Sequence, residues 1–200
     1  CCNSSTRGLI GDGYRGTGFN SNYSLIEYIT IATTGNASTF GDLAVATRTL
    51  GSCSSPTRGI FGGGSGASSA IYYVTIASTG NSSSFGNLSS AARNISSCSS
   101  ATRGLFGAMN DLSAGANVIE YITIASTGNT TDFGDLTIAQ YARAACSSSV
   151  RGVFGGATSP YSNVMDYVTI ATTGNATDFG DLPIVEGYLG ACSSSNGGVQ

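Results

Sequence analysis

The residues that could carry chemistry in this chain are few, and most of them recur with a period. The 200 residues contain neither His nor Lys, so all eight cationic side chains are arginines. His is the most common general base and Lys is the usual Schiff-base amine, so two common catalytic groups are missing. The periodic charges are an arginine in an Arg-Gly pair and an aspartate in a Phe-Gly-Asp-Leu phrase. They fall at Arg7, Arg58, Arg103 and Arg151, and at Asp42, Asn87, Asp135 and Asp181, with Asn87 replacing the aspartate in the second copy.

The amide at Asn87 favours a structural role for these positions over a ring of ligand-binding charges. An amide oxygen can still accept a hydrogen bond from arginine after the charge is lost. We therefore predict that each repeated arginine donates to the aspartate and to backbone carbonyls between units.

The remaining carboxylates are candidates for hydrolysis. A glycosidase needs two carboxylates, and Glu27, Glu120, Asp166 and Glu186 are available. The first three share one repeat position, which Tyr72 occupies in the second copy. Because this placement is periodic, the sequence indicates structure, and we predict that the protein is not an enzyme and has no catalytic residues.

Metal and disulfide chemistry are also weakly supported. Asp132 with Asp135, and Asp178 with Asp181, offer oxygens for Ca²⁺, but the first two copies lack the leading aspartate, and Ca²⁺ needs six to eight oxygen ligands. We predict no metal site and no cofactor. Five of the six cysteines share one repeat position, which holds them apart, whereas a disulfide needs Cα atoms within about 7 Å. Free buried thiols are predicted, with disulfides as the alternative, at Cys2, Cys53, Cys98, Cys146 and Cys192.

An internal repeat sets all of these spacings. The arginines of the Arg-Gly pair are 51, 45 and 48 residues apart, and a Thr-Gly-Asn segment, called the TGN segment below, recurs at 34–36, 79–81, 127–129 and 173–175. Such a period predicts a solenoid, propeller or array whose units bury their apolar faces against neighbours. We expect one repeat domain, 1–200, with units at approximately 2–52, 53–97, 98–145 and 146–192 and a partial unit at 193–200.

Within one copy, the pattern predicts four short antiparallel strands and no helix. In the third copy, residues 118–125 are rich in β-branched and aromatic types, and apolar residues on both faces predict a sheet covered on both sides. The TGN segment predicts a hairpin turn. Further strands are predicted at 130–136, 141–147 and 151–156. The predicted fold class is all-β, and a closed or nearly closed propeller is favoured over an arc of a larger ring or an open stack.

The order of these signals resembles a kelch repeat, one type of propeller blade. In the second copy the signals are Phe61-Gly62-Gly63, Tyr73, Phe85-Gly86-Asn87-Leu88 and Arg93. The consensus Y-I-T-I-A-T-T-G-N-A-T-D-F-G-D-L is similar to units of kelch-like structural proteins of marine tailed phages, notably those infecting cyanobacteria. Phe replaces the usual Trp, and Gly187 replaces the blade arginine in the last copy.

The resemblance implies a non-catalytic virion structural or tail-appendage protein whose partners are other virion proteins or copies of itself. The loops that vary between copies are the expected binding surface for a host-surface glycan or a neighbouring virion protein, and simple sequence drift is the alternative interpretation. Their candidate residues are Tyr14, Arg15, Phe19, Asn110, Asp111 and Tyr161.

A second hypothesis is a secreted extracellular matrix or filament protein, because the asparagine of each TGN segment begins an N-x-[ST] triplet that can accept a glycan. A hairpin turn followed by a strand rich in Ser and Thr gives the same triplet, and we favour that interpretation. Composition argues against two other classes of partner. With a net charge of -3 the chain has no basic patch for nucleic acid, and no apolar run is long enough to cross a membrane. Since the chain begins at Cys1, we expect it to be processed or part of a longer protein.

Overall fold

The computed structural model describes residues 2–11, 13, 22–66, 68–109, 117–158 and 160–193. These residues form four antiparallel four-stranded sheets, and each strand pairs with the next along the chain. The first sheet contains β1 (Cys2–Asn3), β2 (Arg7–Gly11), β3 (Tyr23–Thr30) and β4 (Ser38–Thr47). The second contains β5 (Gly51–Ser54), β6 (Arg58–Gly62), β7 (Ser68–Thr75) and β8 (Ser83–Ala92). The third contains β9 (Ser96–Ser99), β10 (Arg103–Gly107), β11 (Val118–Thr123) and β12 (Thr131–Asp135). The fourth contains β13 (Ala144–Ser147), β14 (Arg151–Ala157), β15 (Ser162–Thr169) and β16 (Thr177–Glu186).

The all-β prediction is confirmed, since the described ranges contain strands and no helix. The strands predicted in the third copy correspond to β11, β12, β13 and β14, but these four do not form one sheet. β11 and β12 complete the third sheet, whereas β13 and β14 open the fourth. The cause is the pairing of the Arg-Gly strand with the strand that follows it, as Arg151 opposite Thr169 shows. Each sheet therefore begins with its cysteine strand.

A β-bulge shapes the last strand pair of every sheet. In the third sheet, Ile119 pairs with Gly134 and Glu120 pairs with Asp132, so Phe133 is the extra residue. Equivalent register shifts occur in the other three sheets. A bulge bends its strand and increases the local twist. Here it leaves Phe133 buried, while the half-buried glycine after it faces the Gly174 carbonyl of the fourth sheet.

The hydrophobic core lies between consecutive sheets, in three separate clusters. We call each contact between consecutive sheets a junction. The C-side face of a sheet is the face toward the following sheet, and the N-side face is the opposite one. At the first junction the C-side residues are Leu9, Ile26, Phe40 and Leu43, and the N-side residues are Phe61, Val74 and Ile76. Burying each such side chain stabilises the fold by about 1.5–3 kcal/mol, so a sheet depends on its neighbours for a core.

The second and third sheets are covered on both faces, as the apolar pattern of residues 118–125 predicts. The first strands of the sheets also lie side by side, joined by serine hydroxyls. Ser99 Oγ donates to the Ser54 carbonyl at 2.8 Å, and Ser147 Oγ donates to the Ser99 carbonyl at 2.8 Å. These strands and residues 191–193 line a cavity of about 570 Å³.

Candidate functional site

Each sheet carries a stack of three side chains in which the repeated arginine lies over a tyrosine ring. In the second sheet, the Arg58 guanidinium carbon is 4.7 Å from the centre of the Tyr73 ring, which meets Phe85 edge-to-face at 6.1 Å. The same stack occurs in the other sheets at 4.3–4.7 Å for the cation and 5.9–6.1 Å for the rings. A cation over an aromatic face is attracted by about 0.5–2 kcal/mol. The stack therefore holds the guanidinium in a fixed direction.

That direction is toward the next sheet. Arg58 donates to the carbonyls of Ile124 at 3.0 Å and Ala125 at 2.9 Å. The equivalent bonds run from Arg7 to the Ile76 carbonyl at 3.0 Å and from Arg103 to the Ile170 carbonyl at 2.8 Å. None of these arginines forms an ion pair with an aspartate within the described ranges; the partner is the main chain alone. The only ion pair found there involves a different arginine.

The aspartates of the Phe-Gly-Asp-Leu phrase contribute through their backbone. The N–H of Asp42 donates to Asn81 Oδ1 at 3.0 Å, while its exposed carboxylate accepts from Ser24 Oγ at 2.8 Å. The equivalent backbone bonds join Asn87 to Asn129 at 3.0 Å and Asp135 to Asn175 at 3.1 Å. An asparagine can replace the aspartate because the bond across the junction needs only the backbone N–H. Asp181 is exposed.

The TGN segment is a bridge between sheets, which its turn-forming composition did not reveal. The hairpin of the third sheet turns before it, where Ser126 N donates to the Thr123 carbonyl at 3.2 Å. Gly128 N then donates to the Phe85 carbonyl of the second sheet at 2.8 Å. A side chain on Gly86 would overlap the Gly128 carbonyl, so the glycine of Phe-Gly-Asp-Leu makes room for the bridge. The sequence did contain a signal for this contact, because each copy has one glycine in the TGN segment and one in the Phe-Gly phrase.

The strongest charge cluster is the buried pair of Arg143 and Asp166. The two side chains are fully buried, and Arg143 Nη1 lies 2.5 Å from Asp166 Oδ2. Arg143 also donates to three backbone carbonyls, those of Phe154, Gly156 and Val164. Thr137 donates to the other carboxylate oxygen at 2.5 Å. The donors and acceptors are therefore satisfied within the protein, and no face of the pair is open to a substrate.

The other hydrolase candidates lie far apart in the topology. Glu120 is 2% exposed and accepts from Ser89 N at 3.2 Å, from Ser89 Oγ and from Thr130 Oγ1 at 2.7 Å. Glu27 lies on β3 of the first sheet, and Glu186 ends β16 of the fourth. Glu120 thus fastens the third sheet to the second. The structure does not bring any two of these carboxylates together across a cavity that it describes.

The five cysteines that the structure describes are free thiols, and their burial follows their position in the stack of sheets. Cys2, Cys53 and Cys98 are buried, Cys146 is partly buried and Cys192 is exposed. Burial raises the pKa of the Cys98 thiol to about 12, and it raises the pKa of Cys53 well above its ordinary value. A side chain on Gly152, the glycine of the fourth Arg-Gly pair, would lie 2.7 Å from Cys98 Sγ. The three buried thiols are packing groups that fill the space left by the glycine of the Arg-Gly pair in the next sheet.

The residues predicted from the variable loops and the possible metal ligands form no site among the described residues. Tyr161 is 63% exposed, whereas Tyr14, Arg15, Phe19, Asn110 and Asp111 lie outside the described residues. Within the described ranges no three His, Cys, Asp or Glu side chains cluster in a way that could hold a metal ion. The same part of the chain contains no helix that could cross a membrane.

Comparison of the sequence with protein-family models and with curated proteins found no match. The periodic polar groups of the repeat donate and accept hydrogen bonds between sheets. Among the described residues, the two buried carboxylates are engaged by hydroxyl, amide or guanidinium donors. This arrangement holds sheets together, and it leaves the outer loops as the surface that can vary.

Proposed function

We propose that this protein is a non-catalytic structural component of a phage virion or tail appendage, built as a propeller-type arc of kelch-like blades. The observation that carries the proposal is the identical junction chemistry. The same arginine-to-carbonyl bond and the same bond to the TGN asparagine recur at all three junctions, with the exposed turns on the outside. Repeated charges that are used between sheets support a scaffold role over catalysis.

The blade-like arrangement has its own support. Each sheet is a four-stranded meander, and the shortest strand of each lies beside a common cavity, as the inner strands of propeller blades do. The loops between the second and third strands of each sheet vary in length. On a repeat scaffold, loops from equivalent positions cluster on one side and commonly form the binding surface.

We assign to these loops the recognition of a host-surface glycan or a neighbouring virion protein. Tyr161, a 63% exposed aromatic residue in the loop before β15, is our candidate anchor among the described residues. Aromatic anchors are enriched at binding hot spots. Weak contacts from single loops become effective when many copies act together on one particle.

The test is copy number on particles. Virions purified from the source by density gradient should contain the chain at a fixed stoichiometry, measured by targeted mass spectrometry against a labelled standard. An antibody to the chain should also decorate the tail by electron microscopy. Absence from particles, together with recovery from the extracellular fraction, would overturn the virion assignment.

An extracellular filament protein is the second candidate, because all four triplet asparagines lie at exposed positions: Asn36, Asn81, Asn129 and Asn175. The carboxamide oxygens of the last three accept backbone hydrogen bonds across junctions, which explains these asparagines without a glycan. Peptide mapping separates the candidates, since sugar mass on these asparagines in the native protein would favour the filament.

A further inference from the structure

Each junction contains an aromatic plug and a glycine seat. The Phe106 ring of the third sheet lies where a side chain on Gly62 of the second would project, 3.0 Å from the Cβ position. Phe61 on Gly11 repeats this at 3.0 Å, and Phe154 on Gly107 at 3.3 Å. The three phenylalanines are fully buried. A C-side face therefore accepts an N-side face through a defined cavity, and the fit is reproduced three times.

The C-side face of the fourth sheet has the same seat without a plug. No aromatic ring lies on Gly155, and an apolar cavity of about 400 Å³ is lined by Val153, Gly155, Met165 and Leu182. Phe179 is 48% exposed, whereas its equivalents in the first three sheets are 2–3% exposed. This face has the residues of a junction but no neighbouring sheet in the described structure.

The N-side face of the first sheet has the opposite half. Ile10, Ile29 and Ile31 are 48%, 38% and 51% exposed, whereas the residues at the same positions in the other three sheets are at most 3% exposed. Ile10 stands where the other sheets carry the phenylalanine plug. Three isoleucines side by side on one face form the kind of apolar patch that marks an interaction site.

The polar groups of the two faces are also matched. At internal junctions, the arginine of one sheet donates to an isoleucine carbonyl of the next, and a TGN asparagine accepts from the residue after Phe-Gly. On the open C-side face the donors are Arg151 and the backbone of Asp181. On the open N-side face the acceptors are the carbonyl of Ile31 and the side chain of Asn36. Gly180 has open space where Gly86 receives a TGN carbonyl.

We propose that the C-side face of the fourth sheet binds the N-side face of the first sheet in a second copy of this chain. The interface repeats the internal junction, with Ile10 in the Gly155 seat and the TGN segment 34–36 on Gly180. The two faces differ, so the contact is heterologous and joins copies head to tail into arcs, rings or filaments. This deepens the structural role proposed above by naming a partner, but it rests only on the repeat packing.

Residues 191–193 add one step to this docking. Ser147 N donates to Ser193 Oγ at 2.9 Å, as Ser99 N donates to Ser147 Oγ at 3.3 Å, so residues 191–193 already occupy the place of a next first strand. β1 of the arriving copy pairs with β2 and would need the same place, so it must separate from β2 when the copies dock. The arriving β2 then pairs with residues 191–193, and Cys192 takes the position of Cys2.

The test uses one-sided variants in sedimentation-velocity experiments over a concentration series. The unaltered chain should form concentration-dependent oligomers. Ile31→Asp and Phe179→Asp each place a charge in one face, which should weaken self-association by about 100-fold or more and leave a 20.0 kDa monomer. Each variant keeps the other face intact, so an equimolar mixture should form a dimer of about 40 kDa and nothing larger.

The matched control is Val45→Asp, on the same sheet as Ile31. Val45 is 55% exposed, and its equivalent in the second sheet is the exposed Ser90, so this position lies outside the junction and the variant should associate as the unaltered chain does. Circular dichroism checks that all variants are folded.

A monomer at every concentration would overturn the proposal, and so would association that neither face variant reduces. A mixture of the two variants that stays at 20.0 kDa would also overturn it, because the intact faces would then fail to meet. These outcomes are separate from the virion assignment, which depends on finding the chain on particles. A self-associating protein that is absent from virions would leave this inference standing and remove the other.

Discussion

Replacing Gly86 with alanine should destabilise the second junction, because the added methyl group has no room beside the TGN segment of the third sheet. The new Cβ would overlap the Gly128 carbonyl and approach Asn129 N at 2.9 Å, so the TGN segment of the third sheet has to move. Overpacking of this kind costs about 1–3 kcal/mol. The movement also strains two bonds, Gly128 N to the Phe85 carbonyl and Asn87 N to Asn129 Oδ1, each worth about 1 kcal/mol.

Alanine also lowers the conformational entropy of the unfolded chain relative to glycine, which offsets about 0.4–1 kcal/mol of the lost stability. The net expectation for Gly86→Ala is about 2–4 kcal/mol of lost stability, which in a chain of this length lowers Tm by about 5–15 °C. Urea and thermal unfolding, followed by circular dichroism, measure both quantities.

The matched control is Gly128→Ala, at the other side of the same contact. A side chain there meets nothing within 4 Å, so the variant should stay within about 0.5 kcal/mol of the unaltered chain. Equal unfolding midpoints for Gly86→Ala and the unaltered protein would refute the steric account of the repeated glycine. A loss in Gly128→Ala as large as that in Gly86→Ala would show that glycine flexibility, and not space, is what the junction requires.

Three further predictions concern buried groups. Arg143→Met should lower the free energy of unfolding in urea by about 3–5 kcal/mol, because it leaves the Asp166 carboxylate unpaired in the interior. Adding Asp166→Leu should recover part of this loss. A double variant no more stable than Arg143→Met would contradict this. Iodoacetamide with peptide mapping should label Cys192 in the folded monomer, for which the Phe179→Asp variant serves, and Cys98 only after unfolding. Equal labelling of the two thiols would rule out the burial described here. Since burial raises the pKa of Cys98 from 9.0 to about 12, the unfolded chain releases this proton first as pH rises. This thiol alone should therefore lower the stability between pH 9 and 12 by up to about 1.4 kcal/mol per pH unit, and Cys98→Ala should remove that part of the slope.

The strands were predictable because their signal is local. Residues 118–125 contain the β-branched and aromatic types that favour extended backbone, and β11 forms there, at Val118–Thr123. The stretch 151–156 likewise contains most of β14, at Arg151–Ala157. The grouping of strands into sheets was less accessible, because sequence order within a repeat does not show where one sheet ends and the next begins.

The chemistry of the junction was harder to predict, because it joins residues about 40–70 positions apart. The repeated arginine was expected to meet the aspartate carboxylate as well as carbonyls. Arg58 instead stacks on Tyr73 and donates only to the main chain of the third sheet. Every residue has a backbone carbonyl, so no sequence pattern could identify which carbonyl accepts the hydrogen bond. Likewise, the glycine in Phe-Gly-Asp-Leu was visible, but its reason lies in the neighbouring sheet.

The short reach of the junction bonds has a consequence for how the protein is made. Bonds between consecutive sheets, such as Asp42 to Asn81 and Ser99 to Ser147, span 39 and 48 residues. A ribosome adds residues at about 5–20 per second, so the open face of a newly made sheet waits roughly 2–10 s for its partner. No described junction requires the first sheet to wait for the last. The sheets can therefore assemble in the order of synthesis, and each finished sheet provides the apolar face against which the next sheet packs.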